Sequence, residues 1–375
     1  MSDSRIRELL TDFADSAEAP DFAERAWSAA GRPRARLLAV TAGALAAAIA
    51  VAATVIATVV AERHHHRAGD RSPATHGRAE VNVQIAPPVE REPALPHRDI
   101  GLPAVIHLDR HAADVTSYPI GRAIAAFGVS TSTARTSTQV TVVLIARDGT
   151  QHTLDVSKLR QARAAGGGTV PPLGATSLAP DGTKLVLAER GGVVTYSLVT
   201  ERWTHFRVVG YPTDEPAWNR DGSIQVGNGR IDPGTKRVTN SPVSAPRWPS
   251  ALDVERPWGP ARSIADRTAQ EALLRSSPRP VDDPAPEAVV VSGRDPAVLL
   301  IPHVGGQERY IGCCAVAGWS GTGTVIYESR LGPESTGQVT RLLAWDVARH
   351  GVALAATVTA GPRTLITGSY PRFPS

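Results

Sequence analysis

His107, Asp109 and His111 place three metal-capable side chains at alternate positions of a short segment. On a β-strand, positions i, i+2 and i+4 project from one face, so these three could share a divalent cation or relay a proton, with a further ligand supplied from elsewhere. The same spacing also describes the solvated face of an edge strand. Asp181 and Asp221 carry carboxylates that suit Ca2+, but each precedes a glycine, which is the setting of a turn-forming aspartate. Cys313 and Cys314 are the only two cysteines and are adjacent. Neighbouring Cα atoms lie about 3.8 Å apart, closer than an ordinary disulfide prefers, so the two read as buried thiols, a strained bond or a redox pair. His64, His65, His66 and His76 form a solvated patch with no fixed geometry to capture a metal. The chain contains no phosphate-cradling loop, no H-E-x-x-H and no G-x-S-x-G, since Gly318-Trp319-Ser320-Gly321 lacks the final glycine. Gly166 to Gly168 precede no long helix that could present its amino end to an anion. No nucleophile, base or cofactor site emerges, and a non-enzymatic role is expected.

The elements that would position these residues are short apolar runs rich in β-branched side chains, separated by Gly, Pro, Asp and Asn. Thr141 to Ala146, Lys184 to Ala188, Val193 to Val199, Ala288 to Val291, Ala297 to Ile301, Thr324 to Tyr327, Leu342 to Val347 and Val352 to Val358 read as strands. Arg147-Asp148-Gly149-Thr150, Arg190-Gly191-Gly192 and Ala348-Arg349-His350-Gly351 read as hairpin turns. No rhythm of strands alternating with amphipathic helices appears, so the class is all-β.

A motif also repeats. Leu178-Ala179-Pro180-Asp181-Gly182-Thr183-Lys184-Leu185 recurs 40 residues later as Ala217-Trp218-Asn219-Arg220-Asp221-Gly222-Ser223-Ile224, and in a worn form as Gly318-Trp319-Ser320-Gly321-Thr322-Gly323-Thr324-Val325. Each copy supplies a tight turn, at Asp-Gly or Thr-Gly, between two strands of one blade. These residues resemble the S-P-D-G-x-x-[LI] signature of TolB-type and WD-repeat-like β-propellers over about Val105 to Pro371. The resemblance implies a propeller of five to six irregular blades, near 105–160, 173–210, 214–242, 245–311 and 314–358, with a final blade closed by strands from both ends. Pro180, Asp181, Gly182, Asp221, Gly222, Trp319 and Gly323 would then be blade-turn residues. Arg262 to Leu274 is expected as a helical insertion and Thr131 to Thr138 as another insertion, with an irregular sandwich as the structural alternative. The tryptophans near the turns, among them Trp203, Trp218, Trp248, Trp258, Trp319 and Trp345, are expected between blades.

Leu37 to Ala61 form a run of 25 residues without a charge. At about 1.5 Å per residue such a helix is long enough to cross a bilayer core of about 30 Å. A buried core helix would keep a polar stripe, and a cleavable signal peptide has a shorter apolar stretch behind a shorter leader. Arg32, Arg34 and Arg36 favour a cytoplasmic amino terminus, although Arg63, Arg67 and Arg71 weaken the asymmetry. The expected layout is a cytoplasmic helical tail over 1–36, a single transmembrane helix over 37–61, a Pro-rich extracytoplasmic spacer over 62–103 and the propeller over 104–375. The tail and helix resemble those of membrane-anchored anti-sigma-like proteins of actinobacteria, but the tail lacks the His and Cys of the zinc-containing kind. A net charge of +4 on 375 residues, without a long basic run, argues against nucleic acid. The expected partners are the lipid bilayer, an envelope protein, peptide or glycan, and a cytoplasmic protein for residues 1–36, with no cofactor. Transmembrane signalling and an extracytoplasmic hydrolase or lyase are the rival functions.

Overall fold

The computed structural model describes residues 81–133, 136–163, 169–208, 215–241, 254–274, 287–293, 295–301, 314–331, 338–361 and 364–373. The tail, the apolar run and the first part of the spacer lie outside them. Among the described residues no helix is long and apolar enough to cross a membrane.

These residues fold as five sheets arranged as the blades of a propeller. The first stretch contributes β1 (Asn82–Ile85), a 3-10 turn (Val89–Ala94), β2 (Val105–His107) and β3 (Ala113–Asp114). Blade 1 follows with β4 (Ala123–Thr133), β5 (Thr136–Ala146) and β6 (Gln151–Asp155), then a ribbon of β7 (Ala162–Arg163) and β8 (Thr169–Val170). Blade 2 holds β9 (Lys184–Glu189), β10 (Gly192–Ser197) and β11 (Trp203–Arg207), with Leu178 bridged to Leu185 on the inner side. Blade 3 holds β12 (Ala217–Trp218), β13 (Ile224–Val226), β14 (Gly229–Ile231) and β15 (Val238–Asn240). Blade 4 holds β16 (Val254–Ile264), β17 (Arg267–Leu274), β18 (Glu287–Ser292) and β19 (Ala297–Ile301). Blade 5 holds β20 (Val316–Ser320), β21 (Thr324–Leu331), β22 (Val339–Asp346) and β23 (Gly351–Thr359). The last strand, β24 (Thr364–Ser369), returns to pair antiparallel with β4, from Thr364↔Thr131 to Ser369↔Ala126, and so joins the two ends of the ring inside blade 1.

Neighbouring blades pack face to face, and β9, β10, β18 and β20 are mostly buried along their length. One core joins blades 5 and 1 through Phe127, Val143, Ile326 and Leu342; another joins blades 4 and 5 through Val289, Leu299, Val325 and Trp345. Blades 1 and 2 meet through Leu144, Leu154, Leu187 and Tyr196, and blades 2 and 3 through Val186, Phe206, Ile224 and Ile231. With so few aromatics in the chain, Val, Leu, Ile and Ala fill most of this space.

The spacer ends earlier than the sequence suggests. Residues 82–103, expected to be an extended linker, belong to the ring, and they continue into a strap along its rim. β1 adds in parallel to β19 of blade 4, β2 in parallel to β23 of blade 5, and β3 in parallel to β6 of blade 1. Ala86, Ile100 and Leu102 are buried in the inter-blade cores. In the 3-10 turn Glu92 is fully buried, accepting hydrogen bonds from Ser329 Oγ and from Arg341 Nη1, both at 2.8 Å. Trp345 Nε1 donates to Gln84 Oε1 at 2.7 Å, which ties β1 to blade 5 as well as blade 4.

Two further expectations are corrected. Arg262 to Leu274 is no helical insertion: it spans the end of β16 and all of β17, and its apolar pattern is broken by Arg262 and Glu271, which make polar contacts to neighbouring segments. Within the expected insertion Thr131 to Thr138, residues 131–133 and 136–138 form the far ends of β4 and β5, which stay paired as far as Thr133↔Thr136. Neither a sixth blade nor a sandwich is formed by the described strands.

Candidate functional site

Successive turns of an antiparallel blade alternate between its two ends, so the ring presents two faces of different chemistry. One face carries the Asp-Gly turns. Gly182 N donates to Ala179 O at 2.8 Å, and the Asp181 carboxylate accepts the amide and hydroxyl of Thr183 at 3.0 and 2.9 Å. Asp221 holds the amide and hydroxyl of Ser223 at 3.1 and 2.7 Å, and Asp148 those of Thr150 at 3.0 and 2.6 Å. Gly149, Gly182 and Gly222 all have positive φ. The hydroxyl and amide of Thr150 hold the Asp148 carboxyl below its ordinary pKa. These aspartates are engaged by their own turns. In the worn copy, positive φ falls at Gly321 rather than Gly323, whose carbonyl instead accepts Val347 N at 3.0 Å.

The opposite face carries the β9–β10 turn and the connection that enters blade 2 from β6. There Arg160, Gln161, Arg163 and Arg190 line a concavity of about 310 Å3. Backbone pairing sets their positions. Arg190 N donates to Arg160 O at 2.8 Å, Arg160 Nη2 reaches Arg190 O at 3.5 Å, and Arg163 pairs with Thr169 in the ribbon. Gly191 (φ 84) makes the turn, and Gly192 admits no side chain because the Phe206 carbonyl occupies that space. Gly192 pairs with Arg207, which brings a further arginine to this end of the blade. The acid set against them is Glu189, 3.7 Å from Arg160 Nε and 3.0 Å from His205 Nδ1. A concavity of about 350 Å3 on the turn face of blade 3 differs in kind, since Asp221 and Asp232 alternate there with Arg230 and Arg237 and an Arg230–Asp221 ion pair forms.

A polar network links the blades. Arg262 of blade 4 donates from Nε to Val316 O of blade 5 at 3.3 Å and from Nη2 to Ala175 O beside blade 2, so its guanidinium spans three blades. Burial lowers its pKa to about 10 against the pull of Glu328. Glu328 accepts from Tyr370 Oη at 3.0 Å and from Arg330 Nε at 2.7 Å. Burial opposes the charge on Arg330, but Glu328 outweighs it and raises that pKa. Tyr370 is pushed well above its usual value, first by burial and then by Glu328. Glu271 is pushed up to about 7 by burial and by the nearby Glu287, against the amide of Cys314, which donates to it at 3.1 Å. The other oxygen of Glu271 is buried without a hydrogen-bond partner. This network links strands of blades 4 and 5 to the segment beside blade 2 and to the residue after β24.

The structure separates the residues proposed as a metal site. β2 stops at His107, whose Nδ1 lies 2.6 Å from Thr359 Oγ1; Asp109 then forms a turn, accepting the amide of His111 at 2.8 Å. Gln151 clamps this bend, donating to His107 O at 2.8 Å and accepting from Asp109 N at 2.9 Å. The strand geometry that would align three side chains therefore ends before the second of them. No group of three metal-ligating side chains converges among the described residues. Cys314 is fully buried and disulfide-bonded, and Cys313 lies outside the described residues. Trp345 and Trp319 are buried between blades, Trp319 donating to Arg262 O at 2.8 Å, and Trp203 packs on Tyr196 with 4.7 Å between ring centroids. Trp248 lies outside the described residues. The arginine concavity was not legible in the sequence, because Arg160 and Arg190 are 30 residues apart and meet only through the fold.

No protein-family model and no curated protein matches the chain. Among solved structures it is similar to the isopeptidase AtxE2 in its apo form, at 14% identity and a TM-score of 0.31, covering 66% of this chain and 48% of that one. It is similar to the N-terminal domain of Nup159 at 7% identity and a TM-score of 0.31, covering 76% and 86%. The WD40 domain of SCAP from fission yeast follows at 10% identity and a TM-score of 0.19, covering 65% and 66%. The chain thus spans about half the length of AtxE2.

Proposed function

We propose that this chain is a membrane-anchored, extracytoplasmic binding protein whose propeller, of TolB type, recognises a protein, peptide or envelope glycan through the face opposite its Asp-Gly turns. The observation that carries this reading is the contrast between the faces. One is built of tight turns whose carboxylates are held by their own loops and, at Asp221, also by Arg230, and the other gathers a basic concavity on a ring joined by β24 and braced by the strap. A rigid scaffold that holds adaptable loops suits recognition. Anchoring rests on the uncharged run Leu37 to Ala61 and its flanking arginines.

The test is in-cell photo-crosslinking with the full chain, placing the probe at Gln161 on the basic face and at Thr235 on the turn face. Envelope partners captured from Gln161 and absent from Thr235 are the expected result. Equal capture from both faces, or none from either, overturns the proposal.

A further inference from the structure

We infer that the outer edge of blade 2, strand β11, takes up an extended acidic peptide as an added strand. This rests on the binding role proposed above, and it names the ligand class and the edge that reads it.

The first support is how the chain treats its outer edges. The outermost strands of blades 4, 5 and 1 each carry a parallel strand of the strap: β1 on β19, β2 on β23 and β3 on β6. Blade 2 has the order β11-β10-β9, and among the described residues nothing pairs with the far side of β11. The second support is the direction of its backbone groups. Arg202 O accepts from Ser197 N at 3.1 Å, and Val208 N donates to Gly191 O at 3.1 Å, so both residues turn toward the β10 side. Residues alternate along an antiparallel ladder, so Trp203, His205 and Arg207 direct their amides and carbonyls away from the blade. Such a row of donors and acceptors at every second residue is matched bond for bond by another extended polypeptide. A polysaccharide backbone carries no alternating N–H and C=O groups, so the edge selects a peptide over a glycan.

Charge selects among peptides. The side chains at 203, 205 and 207 share one face of the strand, while Phe206 on the other face is buried against blade 3. Glu189, the acid on this part of the blade, is already shared by Arg160 at 3.7 Å and His205 Nδ1 at 3.0 Å. Arg207 is exposed, and its cross-strand neighbour Gly192 offers it no side chain. A strand laid along β11 therefore sets every second side chain beside His205 and Arg207, where carboxylates are the complement. The outer strand of blade 3 suits this less: β15 has three residues, and Asp221 and Asp232 alternate with arginines beside it.

The experiment uses the full chain in detergent micelles and follows the anisotropy of labelled peptides at low and at physiological salt. The probe is four repeats of Thr-Glu, in which every carboxylate can lie on the face of His205 and Arg207. Four repeats of Thr-Lys and the backbone-free anion polyacrylate are the controls, and two further versions of the probe are N-methylated at every threonine or at every glutamate. The Thr-Glu probe is expected to bind and to weaken with salt, and the Thr-Lys peptide not to bind. Because alternate residues of a strand pair with the edge, one methylated version should bind like the parent and the other should not, a distinction that charge alone cannot make. Loss in the threonine series means parallel addition, as in the strap, and loss in the glutamate series means antiparallel addition. His205→Pro removes an outward N–H without touching a bond to β10 and should lower affinity about tenfold or more. Arg207→Glu should weaken the Thr-Glu probe and let the Thr-Lys peptide bind, a swap that loss of folding cannot imitate. No binding of the Thr-Glu probe, both methylated versions behaving alike, or polyacrylate binding as tightly as the probe overturns the inference. So does a concentration-dependent dimer that His205→Pro dissolves, which would give the edge to a second copy of the chain. If envelope partners still crosslink from Gln161 while the probe does not bind, the edge and its ligand class fail and the binding role stands.

Discussion

Glu92 offers the sharpest test of the strap. The carboxylate is 0% exposed and accepts hydrogen bonds from Ser329 Oγ and Arg341 Nη1, both at 2.8 Å, while Arg341 itself is 17% exposed. Replacing Glu92 with Ala leaves the guanidinium facing an apolar wall, and removing one member of a buried pair costs ~3–5 kcal/mol. Arg341 keeps a bond to Val89 O at 3.1 Å and some contact with water, so the lower part of that range is expected, about 2–4 kcal/mol. Arg341→Ala should cost a comparable amount. The double variant should cost much less than the sum of the two, because neither partner is then left alone. The assay is urea unfolding of the full chain in detergent, followed by tryptophan fluorescence. Trp345 reports on the junction directly, since its indole nitrogen donates to Gln84 of the strap. Limited proteolysis should cut the Glu92→Ala strap between β1 and β2 well before the ring unfolds. If both single variants cost under about 1 kcal/mol, or if their effects simply add, the strap is an ornament on a ring that holds without it.

Three further outcomes follow from the geometry. Glu271 has a folded pKa of about 7 against an ordinary value of 4.5. The folded state therefore binds the extra proton, so stability is fully present below about pH 4.5 and falls as pH rises toward 7. Glu271→Gln should remove a pH dependence of order 3 kcal/mol and be the more stable protein at pH 8; parallel profiles for variant and wild type would contradict this. Gly182→Ala should cost markedly more than Gly222→Ala: both glycines have positive φ, worth ~1–2 kcal/mol, but only the first would overlap the Ala123 carbonyl, as paired denaturation curves would reveal. Gln84→Leu strips the buried Trp345 N–H of its acceptor and should cost ~1–3 kcal/mol with a shift in tryptophan emission, and no shift would mean that the indole finds another partner.

The sequence carried the blades further than the site. The runs Lys184 to Ala188 and Ala297 to Ile301 stand within a residue of β9 and β19, because strands buried on both faces are short, apolar and flanked by turn residues. The repeated Asp-Gly signature located its turns because the glycine and the carboxylate are both required by the local backbone. What escaped has a different origin. The strap lacks a strand-like pattern, since a rim strand pairs along one edge only and Val83 and Ile85 stay exposed, so its prolines dominated the reading. Arg262 to Leu274 was misjudged because charges that face a buried network break the apolar periodicity of a strand. That break was itself a signal: Tyr327-Glu328-Ser329-Arg330 sets two charges inside a strand that is otherwise buried. The arginine concavity had no local signature at all, being assembled from a connection and a hairpin tip.

The strap also bears on how the chain is made. Two of its three partner strands are made long after it: Asn82 pairs with Ala297, and Val105 with Thr357. Thr364, near the end, must likewise travel back to Thr131. The first two rim strands, β1 and β2, thus remain without a place until β19 and β23 have emerged from the ribosome. Pairings so distant along the chain close slowly, and the waiting β-edges are open to wrong neighbours in the meantime. A nascent chain arrested before Val352 would have no register to offer Val105–His107, and such arrested products should be the ones that holding chaperones retain.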